Sequence, residues 1–432
     1  FKRGLISLAF LLSILMLLFL PAYFGDNQAS AVDQETYKNL KRFNEVLNMI
    51  EKNYVEEVEP KILIHGAIKG MIKSLDPHST FMTADMYKEL QVETRGSFGG
   101  VGIVITMQKD ILTVVSPIED TPAFIAGIKA GDQIIKINGK STKGITIMEA
   151  VKKLRGPKNT KVTITVMRKD VAQPKDFVIT RAIIKIKSVK YKIYDDIGYI
   201  RILAFQGGTI NDLKKAIQDI NNKVGSPKGL ILDMRNNPGG LLDQAVKVSD
   251  VFIESGVIVS TKGRVKNVED TYVAKDDGNE PVIPIIILVN EGTASAAEIV
   301  SGALQDNGKA IILGTQTFGK GSVQTVIPLK GGAALKLTTA KYYTPKGKSI
   351  QAEGIIPNIV VERIEPSNNK KVNDIPIREK DLKRHIKGVS EKIEETEKLS
   401  KKEREDLKKD NQLKSAIDLL NSWNIFKKIN QS

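Results

Sequence analysis

Residues 285–298, IIILVNEGTASAAE, decide the fold. The first five residues form an unbroken apolar run, which is typical of a strand buried on both faces of a sheet. Asn290 to Thr293 then turn the chain, and the small residues of 294–303 predict a helix. Because similar apolar runs alternate with helical patterns on both sides of this stretch, we predict a mixed α/β core from about Val178 to Val361.

Ser295 stands at the start of the helix in this stretch. Backbone N–H groups without intrahelical partners and the positive end of the helix dipole lie at such a position. The N–H of Ala296 could therefore face a developing oxyanion if Ser295 were a nucleophile. A serine at a helix start is more often an N-cap than a nucleophile, so this stretch alone leaves both interpretations open.

Lys320 lies between Gly319 and Gly321, with apolar segments on either side. Such a lysine is a candidate for a buried amine or a solvated turn residue. To act as a base it must be neutral, so its pKa of about 10.4 must fall by roughly 3 units, or about 4 kcal/mol. Residues 314–320, GTQTFGK, also begin like a phosphate-binding loop. Nucleotide binding is not predicted, because Gly321 replaces the required Ser or Thr and a strand pattern follows.

A third motif, LDMRNNPGG at residues 232–240, follows a predicted strand and precedes the helix that begins at Leu242. Its proline and its paired glycines, Gly239 and Gly240, indicate a rigid turn with exposed N–H groups. Such a turn could supply the second half of an oxyanion hole. It could equally be an ordinary connection between a strand and a helix.

Residues 96–169 have a different sequence pattern, in which short strands alternate with glycine turns. This segment resembles a PDZ domain, because FGGVGI at 98–103 matches the family's carboxylate-binding loop and PAFIAGIKAGDQIIKIN at 122–138 also matches. Glycines leave backbone N–H groups free to hold an anion, and the strand after them offers an open edge to a peptide tail. The residues expected to bind the peptide are Gly100, Val101, Gly102 and Ile103 on the loop and Met148 and Val151 on the helix.

Taken together, the motifs resemble the carboxyl-terminal processing peptidases, or tail-specific proteases, of serine peptidase family S41. The likeness extends from about Asp33 to Trp423. It rests on NEGTASAAE at 290–298, TFGKGSVQ at 317–324, DMRNNPGG at 233–240, YTPKG at 343–347 and SLDPHSTF at 74–81. It implies an exported endopeptidase that cleaves peptide bonds through an acyl-enzyme, with no cofactor and no metal.

The resemblance also implies roles for individual residues. Ser295 would be the nucleophile, Lys320 the general base and Gln324 the residue that positions the lysine amine. Backbone N–H groups of Ala296, Gly239 and Gly240 would form the oxyanion hole. Arg155, in the loop LRGP at 154–157, is the candidate for a contact that couples the PDZ-like domain to the protease core.

The N-terminus predicts export. Lys2 and Arg3 precede an apolar run at residues 5–20, which are the charged and apolar parts of a secretory signal. The sequence ASA at 29–31 offers a cleavage site, but it lies far beyond the apolar run. Cleavage and retention as a membrane anchor through residues 5–20 therefore both remain open. We expect an extracytoplasmic protein, held at the membrane if the signal is retained.

Composition excludes several other classes of protein. The formal net charge is +15, but lysines mix with glutamates and aromatic residues make up only 6%, so no nucleic acid partner is expected. The chain has no cysteine, which excludes disulfides, a thiol nucleophile and cysteine metal sites. Its three histidines are widely separated, so a histidine metal cluster is not expected.

We therefore predict a multidomain α+β protein: a mixed α/β protease core with an inserted PDZ-like domain and helical terminal regions. The predicted divisions are a signal or anchor at 1–31, a helical region at 32–95, the PDZ-like domain at 96–170, the core at 171–364 and a second helical region at 365–432. The helical regions resemble dimerisation regions of the family, so a homodimer is expected, although packing within one chain would explain their apolar stripes equally well. Expected substrates are proteins with apolar C-terminal tails.

Two other functions would use parts of the same sequence. A catalytically silent PDZ scaffold needs only residues 96–169 and leaves Ser295, Lys320 and Gln324 unexplained. A serine hydrolase with a histidine base would have to use His78, which lies in a motif of the N-terminal region. Whether a protease of this kind is constitutively active or gated by its PDZ domain stays open.

Overall fold

The computed structural model describes residues 34–169, 171, 173–264, 269–364, 407 and 409–429. The predicted signal at 1–31 and most of the predicted C-terminal helical region, residues 365–406, lie outside the described residues. The chain divides into two compact units, Phe1–Leu75 and Asp76–Ser432. No helix in the described part of the chain is long and apolar enough to span a membrane.

The smaller unit contains helices α1 (Gln34–Asn53) and α2 (Pro60–Lys73). Both helices lie in the region at 32–95 that the sequence predicted to be helical. Pro60 occupies the first turn of α2, where its missing N–H has no intrahelical acceptor to lose. Helix α1 buries none of its residues, and its apolar side chains Tyr37, Leu40 and Phe43 are exposed.

The larger unit alternates strands and helices. Its helices are α3 (Ala84–Arg95), the single turn α4 (Pro122–Ile125), α5 (Ile147–Leu154), α6 (Thr209–Val224), α7 (Leu242–Asp250), α8 (Ala296–Asp306) and α9 (Asn411–Ile429). Its strands are β1 (Thr80–Met82), β2 (Ser97–Gly100), β3 (Ile103–Gln108), β4 (Ile111–Pro117), β5 (Gln133–Ile137), β6 (Lys140–Ser141), β7 (Lys161–Met167), β8 (Lys175–Thr180), β9 (Ala182–Lys185), β10 (Val189–Tyr194), β11 (Ile197–Ile202), β12 (Gly229–Asp233), β13 (Val257–Gly263), β14 (Asp270–Val273), β15 (Ile285–Val289), β16 (Ile311–Gly314), β17 (Ser322–Pro328), β18 (Ala334–Tyr343) and β19 (Ile359–Val360).

The motifs that contain Gly239, Ser295 and Lys320 lie around a sheet with the strand order β10-β11-β12-β15-β16-β19. Strands β11, β12, β15, β16 and β19 run parallel, and β10 is antiparallel to β11. Apolar residues of α6, α7 and α8 pack on one face of this sheet, and those of α9 pack on the other. Because both faces are covered, β12 and β15 are buried along their whole length, as their apolar runs predicted.

Residues 101–180 form a separate sheet with the order β3-β4-β5-β7-β8, closed over its own core. Strands β2 and β9 pair with each other at the two ends of this segment, so it is an insertion that leaves and returns at one place. Asp132, buried in the glycine-rich turn before β5, is bonded to Arg168 by both of its carboxylate oxygens, at 2.7 and 2.8 Å.

A third sheet joins distant parts of the chain. Strand β18 lies between β1 and β17 at one end and pairs with β13 at the other. Strand β1 and helix α3, which the sequence prediction grouped with the N-terminal helices, therefore belong to the larger unit. The predicted α+β class is confirmed, with an α/β core and an inserted PDZ-like segment.

Candidate active site

Ser295 lies between the buried strand β15 and helix α8, where the chain reverses direction. Its backbone is in the left-handed region, with φ of 55° and ψ of −116°, and the residue is 9% exposed. A non-glycine residue in such a conformation costs about 1–3 kcal/mol and persists only where its surroundings hold it. The turn therefore places Ser295 at the helix start under local strain.

The carboxylate of Glu298 holds this turn in place through hydrogen bonds. Its Oε2 accepts hydrogen bonds from the backbone N–H of Ser295 at 2.7 Å and of Lys320 at 2.9 Å. Its Oε1 accepts from the N–H of Gly319 and the hydroxyl of Thr317, both at 2.6 Å. The side chain is fully buried, and all four bonds are made to a charged acceptor, which makes each of them stronger than a neutral bond.

Glu298 consequently brings the serine and lysine motifs together. One carboxylate oxygen lies within hydrogen-bonding distance of the backbone nitrogens of both Ser295 and Lys320. Sequence reasoning missed this residue. The spacing Ser-x-x-Glu at a helix start was a usable signal, because it is that of a capping box, but its second set of partners lies on a distant segment.

Lys320 is half-buried, and its pKa is lowered. Burial is the largest cause, the positive charge of Lys336 acts in the same direction, and the negative charge of Glu298 opposes both. A lowered pKa is what a lysine needs to act as a general base near neutral pH. The pKa of His78 is also lowered, first by burial and then by the charge of Lys320.

Gln324 lies on β17 next to a register shift in its pairing with β18. Its amide nitrogen donates to the carbonyl and hydroxyl oxygens of Ser322, at 3.1 and 2.9 Å, and to the hydroxyl of Thr338 at 3.4 Å. Among the described residues, none donates a hydrogen bond to the amide oxygen Oε1. No hydrogen bond joins Gln324 to Lys320 within the described residues.

Thr338 connects Gln324 to the motif SLDPHSTF. Its backbone N–H donates to the Ser79 hydroxyl at 3.0 Å, and that hydroxyl donates to Asp76 Oδ2 at 2.7 Å. Burial would raise the pKa of Asp76, but hydrogen bonds from Ser79 and from the backbone of His78 lower it to about 2. A partly exposed carboxylate, that of Asp76, thus lies at one end of the hydrogen-bonded chain that leads to Gln324.

The turn at 236–240 faces Ser295. An added Cβ on Gly239 would lie 2.8 Å from Ser295 Cβ and 2.9 Å from the nitrogen of Ala296, so only glycine allows this approach. The N–H of Gly239 donates to Asn237 Oδ1 at 2.9 Å. Across the described residues, the N–H groups of Gly240 and Ala296 make no hydrogen bond, so they are the predicted oxyanion donors that remain free.

The PDZ-like segment has a groove between β3 and α5, where β3 is the edge strand of its sheet. A small cavity of about 80 Å³ lies there, lined by Phe98, Gly100, Val101, Gly102, Ile103, Ile105, Val151, Leu154 and Arg155. Met148 was expected to line it as well. It is 65% exposed and does not border this cavity, because it lies near the N-terminal end of α5.

Arg155 lies at the end of this groove. Its Nη1 donates to both carboxylate oxygens of Glu89 on α3, each at 2.7 Å, and its guanidinium lies 4.6 Å from the ring centre of Phe98. Arg155 therefore joins this groove to helix α3. Helix α3 in turn contacts β1 of the third sheet.

Three family models match parts of the chain. A family model described as peptidase family S41 matches residues 196–361, and a PDZ domain model matches residues 89–167. A model of the activating protease CtpB N-terminal domain matches residues 24–86.

Curated relatives match along most of the chain. The carboxy-terminal-processing protease of Bartonella bacilliformis is 49% identical over 361 residues and is covered to 83%, as is this chain. A probable CtpA-like serine protease of Staphylococcus aureus is 37% identical, over 79% of this chain and 68% of its own length. Among solved structures, the photosystem II D1 C-terminal processing protease is 28% identical, with a TM-score of 0.44, over 74% of this chain and 92% of that chain.

Proposed function

The chain belongs to peptidase family S41, as a carboxy-terminal-processing serine protease with a PDZ domain, and we propose that it is an exported endopeptidase with a Ser295–Lys320 dyad. Its substrates are proteins, and the PDZ domain selects them by their apolar C-terminal tails. The observation that carries the dyad is the buried carboxylate of Glu298, since one of its oxygens binds the backbone of both residues.

The reaction follows from the chemistry of these groups. The neutral amine of Lys320 takes the hydroxyl proton of Ser295 as its Oγ bonds to the carbonyl carbon of the substrate. The N–H groups of Ala296 and Gly240 then stabilise the oxyanion, and Gly239 joins them if it releases Asn237. As the peptide C–N bond breaks, Lys320 returns the proton to the leaving amine. In the second half-reaction Lys320 takes a proton from water as its oxygen bonds to the acyl carbon. The bond from that carbon to Ser295 Oγ then breaks, and Lys320 returns the proton to Oγ.

Gln324 has a supporting role in this proposal. Its amide nitrogen is occupied by three oxygen acceptors, so its Oε1 is available to accept a hydrogen bond from the Lys320 amine. Such a bond directs the lone pair of the neutral amine, because a lysine side chain is otherwise free to rotate. Gln324 is then a positioning residue rather than a proton carrier.

The PDZ domain would bind a tail by adding it as a strand to the free edge of β3. The tail's carboxylate would lie near the loop at 98–103. Arg155 borders the same cavity while it is bonded to Glu89, so we propose that an incoming carboxylate competes with Glu89 for the guanidinium and thereby gates the protease. If Arg155→Ala keeps full tail-dependent activity, this gating contact is wrong.

Export, membrane attachment and dimerisation complete the proposal. Residues 1–31 would direct export or anchor the chain through residues 5–20. The domain divisions at 170/171 and 364/365 would be those predicted, whereas the boundary predicted at 95/96 would move to 75/76. The exposed apolar side chains of α1 and of α9, among them Tyr37, Phe43 and Phe426, would meet a second copy of the chain. Sedimentation with and without residues 34–75 tests the dimer.

The function is tested by proteolysis of an unfolded model protein with and without an apolar C-terminal tail. Wild type, Ser295→Ala and Lys320→Ala, each without residues 1–31, are compared. We expect cleavage by wild type that depends on the tail, and none by either folded variant. Cleavage by Ser295→Ala would refute the nucleophile, and failure of wild type to cut any tailed protein would favour a PDZ scaffold.

A further inference from the structure

Arg235 lies two residues beyond the end of strand β12 and precedes the turn that contains Gly239 and Gly240. It is 9% exposed, and every N–H of its guanidinium is bonded. Nε and Nη2 donate to the two oxygens of Asp233, at 3.0 and 2.6 Å. Nη1 and Nη2 donate to the two oxygens of Asp410, at 2.8 and 2.7 Å, and Nη1 also donates to Gln412 Oε1 at 3.0 Å. A guanidinium has five N–H donors, and all five are used here.

Asp410 connects this cluster to the far end of the chain. It caps helix α9, because its Oδ1 accepts the backbone N–H of Leu413 at 3.0 Å. Burial would raise the pKa of Asp410, but the hydrogen bonds and charge of Arg235 lower it, so the carboxylate stays ionised at neutral pH. The apolar face of α9, with Leu413, Ile417 and Leu420, packs against the central sheet. The docking of α9 on the sheet therefore fixes the position of Asp410.

The backbone of Arg235 continues directly into the turn of the proposed oxyanion hole. Its own N–H donates to Asp233 Oδ1 at 3.0 Å. The next residue, Asn236, has a φ of +56° and exchanges hydrogen bonds of 2.8 and 3.0 Å with Asn290, at the start of the serine turn. The guanidinium thus anchors one end of a strained turn whose other end is Gly240.

We propose that Asp410 is a positioning residue for the oxyanion turn, acting through Arg235, so that catalysis requires the C-terminal helix to be docked. The inference rests on the proposed function, because it takes residues 236–240 as the oxyanion turn. If α9 were not docked, Asp233 would accept only two of the five guanidinium hydrogen bonds. Arg235 would then be free to shift together with Asn236. A small displacement of an oxyanion donor weakens transition-state binding without changing the binding of a peptide tail.

Asp410→Asn is the direct test, with Asp418→Asn as the matched control on an exposed position of the same helix. For Asp410→Asn we expect kcat to fall by roughly tenfold or more, with KM and the dissociation constant of a tail peptide unchanged. The inhibition constant of a peptide aldehyde, whose adduct carries an oxyanion, should rise by a similar factor. Asp418→Asn should match wild type in all of these.

Urea unfolding and Asp410→Glu separate positioning from general damage. If kcat falls only in proportion to the fraction of Asp410→Asn that is unfolded, or if aldehyde binding is unchanged, the inference is overturned. Partial recovery of kcat in Asp410→Glu supports it. If Ser295→Ala remains active, the proposed function itself fails. If Ser295→Ala is dead and folded Asp410→Asn has the wild-type kcat, only this inference fails.

Discussion

Replacing Glu298 by glutamine should damage both stability and catalysis. The amide has the same shape, but it offers one acceptor oxygen in place of two, so two of the four donors that now meet a carboxylate would meet an NH2 group. A hydrogen bond to a charged group contributes about 1.5–3 kcal/mol. The loss of two such bonds at a fully buried position should therefore lower the free energy of unfolding by about 3–6 kcal/mol.

The catalytic effect of Glu298→Gln should exceed the effect on folding. Whichever oxygen is lost, a contact that holds Ser295 or the segment around Lys320 is broken, so kcat should fall by at least about 100-fold in the molecules that remain folded. Activity needs neutral Lys320 and rises as the pH passes its pKa. Because the charge of Glu298 raises that pKa, its removal should move the acidic limb of kcat/KM to lower pH.

Urea unfolding followed by circular dichroism and initial rates across a pH series measure these effects. Glu291→Gln is the control, since Glu291 is an exposed residue of the same turn whose side chain accepts one hydrogen bond, from Thr315, at 3.3 Å. It should change neither quantity by a large amount. A Glu298→Gln enzyme with wild-type stability and wild-type kcat would refute the role assigned to this carboxylate.

Three further substitutions test separate parts of the structure. Lys336→Gln removes a positive charge that lowers the pKa of Lys320, so the acidic limb of kcat/KM should move to higher pH. An unchanged limb would contradict an interaction between the charges of Lys336 and Lys320. Gly239→Ala places a methyl group against Ser295 at a φ of +95°, so we expect loss of activity with destabilisation of about 1–3 kcal/mol, measured by rates and urea unfolding. Arg181→Met removes four hydrogen bonds, to Lys153 O, Leu154 O, Lys161 O and the Thr160 hydroxyl, and should destabilise the PDZ segment by about 2–4 kcal/mol. Tail binding should then weaken while Ser295 still reacts with a fluorophosphonate, and full tail binding would show that these bonds are dispensable.

Much of the fold could be predicted from local sequence. The apolar runs at 229–232 and 285–289 are strands because both faces of the central sheet are covered, and runs of this kind need no distant information to be recognised. The same holds for helix α5, which begins with a capping box between Thr146 and Glu149. The strands and helices that were predicted could be recognised for this reason.

Contacts between distant segments could not be predicted from one sequence. Strand β1 reads as part of an N-terminal helical region, but its pairing partner β18 comes after the whole PDZ segment and most of the core. Glu298 reads as a cap, although three of its four hydrogen bonds come from Thr317, Gly319 and Lys320. No local pattern marks such partners, because the fold alone brings them together.

Activation of Ser295 by Lys320 is tested most directly by labelling with a fluorophosphonate. The protein without residues 1–31 is incubated with the reagent, and the modified residue and its rate of modification are determined by mass spectrometry. We predict a single adduct on Ser295 in wild type and labelling at least about 100-fold slower in folded Lys320→Ala. An adduct on another residue, or a Lys320→Ala protein labelled at the wild-type rate, would contradict the account.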